Sequence, residues 1–350
     1  MNVWNKKDVL VVGGAGFVGS NLVRRLLSEG VGRVVVVDNL LSAERENLPD
    51  HSAVVFIEGS IADDAVLKQV TDEFDYVFHL ATYHGNQSSI HDPLADHANN
   101  TLTTLKLFDW IKNHRRLIKV VYASSGCTVA EKTFDQARAT TEEAPVSLYL
   151  DSPYQISKII GELYGNYYFK QYGLPVVKAR FQNVYGPGEV LGAGRWRGTP
   201  ATVWRNVTPS FIFRAIRRMP LIVENGGVAT RDFIFVDDIV EGLVRCASHA
   251  DPGEVFNLAS GVEISIGELA KLVNDLTGNP VPVELGPTRS WDLSGKRYGS
   301  VEKARLRLGF LAQEPIKRGL ERTIEWTRAN LPWIEQCIRK HRPHMPDLTV

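Results

Sequence analysis

Cysteine is scarce in this chain. Only Cys127, Cys246 and Cys337 occur among 350 residues, with no C-x-x-C pair and no even set, which argues against a disulfide framework and a thiolate zinc site. A reducing, cytoplasmic setting is expected. An excess of one charge is also missing: 40 basic side chains balance 40 acidic ones. Nucleic-acid binders and polybasic membrane proteins need a positive surplus, so neither partner is expected. Long apolar runs are absent as well. The stretch from Met1 to Asp8 is polar, the run that follows spans only Val9–Val12, and nothing approaches the roughly 18 apolar residues of a membrane helix. No signal peptide is expected, and the Asn-x-Ser/Thr triplets at Asn86, Asn99 and Asn206 then read as chance. His79, His84, His91 and His97 lie close in sequence but lack a spacing that sets two ligands on one helix face beside a third. No metal is expected.

What is present is ordinary globular composition, 44% hydrophobic and 23% charged, in a chain long enough for one large or two interleaved domains. Short β-branched runs recur at Val9–Val12, Val34–Asp38, Val54–Glu58, Tyr76–Ala81, Lys119–Ser124 and Val176–Arg180. Helical stretches separate them: Gly16–Glu29, one starting near Asp63, Asn99–Asn113 and Tyr154–Tyr172. Apolar strands alternating with helices predict an α/β fold, a Rossmann-type doubly wound parallel sheet. The rhythm changes after Arg180. Tyr185–Thr202, rich in Gly, Pro and Arg, shows no periodicity and reads as a binding loop. Further helices are expected at Pro209–Arg218, Val236–Ala250 and Ile266–Leu276 and from Val301 and Ile316, with strands at Asp232–Phe235 and Val255–Ala259. The tail after His341 is expected to fray.

The strongest local signal is Val9-Leu-Val-Val-Gly13-Gly14-Ala15-Gly16-Phe17-Val18-Gly19, a strand running into glycines and then a helix. Gly13 turns the chain tightly, Gly16 lets backbone N–H groups reach a pyrophosphate, and Gly19 lets the helix pack on the sheet. The helix N-terminus supplies the partial positive charge that a phosphate needs. The next strand ends at Asp38, at about the spacing expected of the acid that binds the adenosine ribose. Its carboxylate would repel a 2′-phosphate, and no arginine follows in Asn39-Leu40-Leu41. NAD is therefore expected in preference to NADP.

Tyr154 and Lys158 fall four apart and share one helix face. An ammonium beside a phenol favours the phenolate, which suits the tyrosine to acid/base work. Together with the strand-ending Tyr122-Ala123-Ser124-Ser125, the chain resembles the extended short-chain dehydrogenase/reductases, in particular the NAD-dependent nucleotide-sugar epimerases and dehydratases. The resemblance runs through Gly13–Gly19, Asp38-Asn39-Leu40, His79-Leu80-Ala81, Asn99 with Thr103, Ser124-Ser125, Tyr154-x-x-x-Lys158, Asn183-Val-Tyr-Gly-Pro187, Arg231-Asp-Phe-Ile-Phe-Val-Asp-Asp238, Phe256-Asn257-Leu258 and Leu308-Gly309-Phe310.

The resemblance implies that Tyr154 is the acid/base at the oxidised sugar carbon, that Ser125 bonds the same sugar oxygen, and that Lys158 also holds the nicotinamide ribose. It further implies a cofactor shell of Gly13, Gly16, Phe17, Val18, Gly19, Asp38, Asn39, Leu40, Ser60, Ile61, Leu80, Ala81, Asn99 and Phe181. Ser60-Ile61 stands where the family often has Asp-Ile against adenine. A nucleotide-diphosphate-sugar substrate is implied at Asn183, Asn206, Val207, Arg231 and Arg289, the two arginines matching positions near the pyrophosphate. The implied division is an NAD-binding domain of 1–182 with 232–262, a smaller C-terminal α/β substrate-binding domain of 183–231 with 263–340, and a tail of 341–350. Helices matching Asn99–Asn113 and Tyr154–Tyr172 pair across a two-fold axis in the family, so a homodimer is expected. Leu102, Leu105, Leu107, Phe108, Leu163, Tyr167 and Tyr168 are the apolar candidates for that face or for the chain's own core.

Two departures matter for the reaction. The positions after Ser125, acidic in the 4,6-dehydratases, are here Gly126 and Cys127, which disfavours dehydration. Cys127 resembles the proton-transfer cysteine of GDP-fucose synthase and GDP-mannose 3,5-epimerase, and it reads equally as a small buried residue. The loop from Gly188 to Trp204 resembles faintly a loop of the latter enzyme, and with Arg205 its Arg195 and Arg197 suggest an anionic sugar. The expected function is an NAD-dependent epimerase that inverts C4 or C3/C5 and supplies a surface-polysaccharide precursor. A dehydratase or reductase of the same family, or a non-catalytic NAD sensor, are the alternatives.

Overall fold

The structure, a computed structural model, describes residues 3–70, 73–126, 136–288 and 295–348. Cys127 and Arg289 lie outside the described residues. Seven parallel strands form the main sheet: β1 (Asp8–Val12), β2 (Arg33–Asp38), β3 (Val54–Glu58), β4 (Tyr76–His79), β5 (Lys119–Ser125), β6 (Val176–Phe181) and β7 (Val255–Leu258), in the order β7-β6-β5-β4-β1-β2-β3. The central strands are apolar without alternation because helices cover both faces. On one face Leu22, Leu26, Leu243 and Cys246 of the helices Phe17–Ser28 and Val236–His249 join Val9, Val11 and Val34 in one core. On the other, Leu107, Phe108 and Tyr168 of the helices Thr103–Ile111 and Pro153–Tyr172 pack on Leu10, Val35 and Val120. Leu107, Phe108 and Tyr168 thus belong to the chain's own core, whereas Leu102, Leu163 and Tyr167 are exposed.

The expected strand Tyr76–Ala81 ends two residues early, at His79. The Leu80 N–H donates to the Val12 carbonyl at 2.8 Å as the last bond of the ladder, and the Ala81 N–H donates to the same carbonyl at 2.9 Å, so the chain leaves the ladder there and turns over the end of β1. That crossing explains Gly13. It has φ +85°, and a Cβ there would lie 2.4 Å from the Ala81 nitrogen. A Cβ at Gly19 would lie 2.2 Å from the Gly13 carbonyl oxygen, so the turn and helix can only pack this closely through glycine.

The strands Asn183–Tyr185, Thr230–Phe235 and Glu263–Ser265 make a second, three-stranded sheet. Its core joins Tyr185, Phe233 and Phe235 to Phe211 and Ile212 of the helix Val207–Ile216, Leu269 of Ile266–Thr277 and Leu320 of Ile316–Ala329. The segment from Gly186 to Pro200 is irregular, as expected, and is followed by the short helix Ala201–Trp204.

Two readings of the C-terminus are corrected. The helix from Ile316 stops at Ala329, and a further helix, Leu331–Arg339, follows. Pro332 in its first turn is no breaker, because the N–H it lacks would have had no helical partner. The described part of the tail, through Leu348, is packed rather than frayed. His341 is buried and its Nε2–H donates to the Gly192 carbonyl at 2.8 Å, His344 stacks on Trp196 with ring centroids 4.9 Å apart, and Leu348 is buried beside Val190 and Leu191. The apolar partners were in the irregular loop, which offers no periodicity to read. Among the described residues no helix is long and apolar enough to cross a membrane.

Candidate functional site

A cavity opens where the strand order reverses between β1 and β4, at the carboxyl ends of the strands, the usual ligand position in such sheets. Its floor is the glycine turn. Gly16 is the N-cap of the helix Phe17–Ser28 and no side chain caps it, so the first N–H groups of that helix are available to an anion. Asp38 ends β2 in the same wall. One of its oxygens accepts from the Ala15 N–H at 3.0 Å and the other from the Leu40 N–H at 2.9 Å. Burial pushes the carboxyl up, and these backbone donors pull it back. Lone pairs remain on both oxygens for a pair of ribose hydroxyls. Ser60 and Ile61 line the cavity at the end of β3, and Leu80 and Ala81 line it at the crossing.

Tyr154 and Lys158 arrive from the helix Pro153–Tyr172. Ser152 caps it by accepting from the Gln155 N–H, and Pro153 presets its first turn. Lys158 is buried. Its Nζ donates to the Ala123 carbonyl at 2.9 Å and lies 5.8 Å from the centre of the Tyr154 ring and 5.3 Å from that of Tyr122. Ser125, at the end of β5, lines the same cavity. Beneath it Ser124 donates to Glu162 at 2.5 Å, and Glu162 receives both Nε and Nη2 of Arg180, at 2.8 and 2.7 Å. This buried carboxylate ties β5, β6 and the tyrosine-bearing helix together. A second tie is Asn100 in the π-helical turn His97–Leu102. It accepts from the Tyr83 N–H at 2.7 Å and donates to Asp96 and Ser157, at 2.7 and 3.2 Å. Single π turns in otherwise α-helical stretches often sit at functional sites.

Of the residues expected from sequence, the cavity is lined by Gly13, Gly16, Phe17, Val18, Gly19, Asp38, Asn39, Ser60, Ile61, Leu80, Ala81, Asn99, Ser125, Tyr154, Lys158, Phe181, Asn183, Asn206 and Val207. Two of the expected set are elsewhere. Leu40 has φ +54° and meets Asp38 only through its N–H, and Arg231 is buried with Nη1 on the carbonyls of Thr230 and Gly295, at 2.7 and 2.9 Å. Cys127 and Arg289 lie outside the described residues. Among the three loop arginines only Arg205 lines the cavity. Arg195 donates to the Asn39 carbonyl at 2.8 Å and the buried Arg197 to the His84 carbonyl at 3.0 Å, so both hold the loop down.

Sequence reasoning missed His84, Glu189 and Arg297, all of which line the cavity. Glu189 and Arg297 sit in irregular or short segments without a motif, and His84 only becomes legible once the crossing after His79 is known. His79 itself is buried on Thr104, at 2.9 Å, and burial pushes its imidazole down to about 3. It is a neutral core histidine.

The described residues fit a dinucleotide: an uncapped helix N-terminus for the pyrophosphate, an acid with free lone pairs for the ribose, and apolar walls for the rings. Comparisons agree. The model of the NAD dependent epimerase/dehydratase family matches residues 9–259. The chain is 35% identical to the UDP-glucose 4-epimerase of Mycolicibacterium smegmatis over 326 residues, 91% of this chain and 98% of that protein. The crystal structure of the Bordetella bronchiseptica enzyme WbmF in complex with NAD+ and UDP superposes with a TM-score of 0.89 at 61% identity, covering 98% of this chain and 99% of that one. A UDP-N-acetylglucosamine 4-epimerase from Methanobrevibacter ruminantium, solved with UDP-N-acetylmuramic acid, gives 0.82 at 28% identity over 93% of this chain and 99% of that one. This chain belongs to the NAD dependent epimerase/dehydratase family, and it is an enzyme whose cofactor is NAD.

Proposed function

We propose that the enzyme inverts a stereocentre of a nucleoside diphosphate sugar, with uridine the favoured base because UDP accompanies NAD+ in the similar WbmF complex. The observation that carries this reading is the meeting, in one cavity, of Ser125, Tyr154 and Lys158 with the glycine turn on one side and Asn183, Asn206 and Val207 on the other. NAD, when bound, would supply a reversible hydride acceptor for sugar C4. The chain supplies the protons and the geometry. Tyr154, as phenolate, accepts the C4 hydroxyl proton and afterwards returns it. The Lys158 ammonium, 5.8 Å from that ring, favours the charged form and would also hold the nicotinamide ribose. Ser125 donates to the same sugar oxygen as it becomes a carbonyl. C4 inversion needs no further group, whereas C3 or C5 inversion would use the Cys127 thiol. Arg289 is the candidate left for the pyrophosphate side, since Arg231 spends its Nη1 on the carbonyls of Thr230 and Gly295.

The same reading divides the chain into an NAD-binding part, 1–182 with 232–262, and a sugar-nucleotide part, 183–231 with 263–340. The pairing of the strand Thr230–Phe235 with Asn183–Tyr185 and Glu263–Ser265 supports a separate sugar-nucleotide part. It also makes the enzyme a cytoplasmic homodimer feeding polysaccharide synthesis. The dimer is supported by an exposed apolar stripe of Leu102, Ile156, Leu163 and Tyr167, at 37%, 46%, 59% and 51% exposure. A concentration-independent monomer in analytical ultracentrifugation would remove that part.

Tyr154→Phe tests the chemistry. It keeps the ring and deletes the proton acceptor, so turnover of UDP-sugars should fall by roughly 10²–10⁴-fold with folding unchanged. Undiminished turnover refutes the role. A lasting change in cofactor absorbance during wild-type turnover would indicate net oxidation instead of epimerisation. Carbon-bound deuterium incorporated from heavy water would mark C3/C5 inversion.

A further inference from the structure

One wall of the cavity carries a polar chain that the proton transfer at Tyr154 leaves unexplained. Glu189, at 5% exposure, accepts from the Asn206 Nδ2 at 2.6 Å. The amide oxygen of Asn206 faces His84 Nε2 at 3.1 Å. The orientation of that amide is set by Glu189, whose Oε1 accepts from its NH₂ end. The oxygen end is left for His84, whose Nε2 must then carry the proton. In a neutral imidazole this makes Nδ1 an acceptor. The ring is kept neutral: burial, with the cations Arg197, Arg205 and Lys158 around it, pushes it down to about 4 against the opposing bond to Asn206.

His84 lines the cavity, and its ring meets that of Tyr154 edge to face with centroids 6.1 Å apart. Nδ1 has no hydrogen-bond partner among the described residues, and it is absent from the polar atoms sealed away from solvent. Both sides of the histidine's backbone are fixed as well, by the Arg197 bond to its carbonyl and by the Asn100 bonds to the preceding residues. The remaining Glu189 oxygen is sealed and unpartnered. A carboxylate half-unsatisfied in the interior is costly, and its one hydrogen bond is the one that sets the Asn206 amide.

We propose that His84 is a sugar-binding residue whose Nδ1 accepts a hydrogen bond from a hydroxyl or amide N–H of the hexose on the Tyr154 side of the cavity, with Glu189 and Asn206 as the pair that positions its tautomer. The inference rests on the nucleotide-sugar reading above and adds a requirement on the sugar: a donor beside the reacting carbon. A site built around an acceptor rejects a sugar that lacks the donor, because the acceptor is then left unpaired.

The test uses NAD-loaded protein with UDP-glucose and UDP-N-acetylglucosamine as probes and UDP as control. For whichever sugar is turned over, His84→Ala should raise KM about tenfold, the worth of one hydrogen bond. Inhibition by UDP should be unchanged. Glu189→Ala should raise the same KM without moving UDP inhibition. Glu189→Gln, whose side-chain oxygen can still accept from Asn206, should recover most of the loss. In wild-type protein labelled with ¹⁵N-histidine, the His84 Nδ1 should resonate as an unprotonated nitrogen and should shift with the turned-over UDP-sugar but not with UDP. A wild-type KM in His84→Ala, an equal loss of UDP inhibition, or a protonated Nδ1 overturns the inference while leaving the epimerase reading intact. Wild-type protein that binds UDP but neither sugar overturns that reading first, and this inference with it.

Discussion

Glu162 offers the sharpest test of how the fold holds its chemistry. Its carboxylate accepts from Ser124 Oγ and from Nε and Nη2 of Arg180, at 2.5, 2.8 and 2.7 Å, while Arg180 Nη1 donates to the Glu142 carbonyl at 2.9 Å. Both side chains are almost sealed, at 8% and 5% exposure. Glu162→Gln keeps the shape, yet it replaces one acceptor by an NH₂ that faces the guanidinium. Arg180 is then a buried charge without a counter-ion, which costs about 3–5 kcal/mol. Unfolding entropy of about 2 cal/mol/K per residue over this length converts that into a melting temperature lower by about 4–7 °C. Function should suffer separately. Ser124 and Ser125 pair in register with Arg180 and Phe181, so the loosened end of β5 should carry Ser125 out of place and lower kcat more than it raises KM. Paired thermal melts and steady-state kinetics read both effects. The double variant Glu162→Gln/Arg180→Met should recover much of the stability, because a buried ion pair replaced by apolar volume is often neutral. A Glu162→Gln protein melting within about 1 °C of the wild type, or a double variant worse than both singles, would refute the reasoning.

Other outcomes follow from single groups. Asp38→Ala removes the acceptor proposed for ribose hydroxyls and the charge that would repel a 2′-phosphate, so the expected preference for NAD over NADP, measured by titration of the two cofactors, should narrow markedly, and an unchanged ratio would remove Asp38 from that role. Glu189 has its carboxyl pushed by burial from 4.5 up to about 7, against the pull of Arg205 and Asn206. A raised acid contributes stability that is complete below about pH 4.5 and is lost as pH rises through about 7, by at most roughly 3 kcal/mol. Urea melts should therefore show the wild type losing stability relative to Glu189→Gln between pH 5 and pH 8. The variant deprives Arg205 of a counter-charge, which lowers its whole curve without restoring the slope. Parallel curves for the two proteins would refute the shift.

The sequence alone determined the sheet and picked out residues that line the glycine-turn end of the cavity. Near-continuous Val runs such as Val34–Val37 can only be strands buried on both faces, and the spacing from Gly13 through Gly19 to Asp38 is a local property of one strand, turn, helix and strand. Tyr154 and Lys158 are likewise legible because four residues is one helical step. The other wall is not local. His84 lies 122 residues before Asn206, and the two meet because the segment after β4 turns over the end of β1 while the irregular loop that holds Glu189 is pinned by His341 against Gly192 and Trp196. The same holds for the tail, whose partners carry no period, and for the end of β4, where the Ala81 N–H shares the Val12 carbonyl with Leu80 instead of moving on along the ladder. Periodicity encodes which face of an element is buried; it does not encode which irregular segment will lie against which. The tertiary structure alone decided that Leu107 and Tyr168 pack inward while Leu163 and Tyr167, on the same helical stretches, stay exposed.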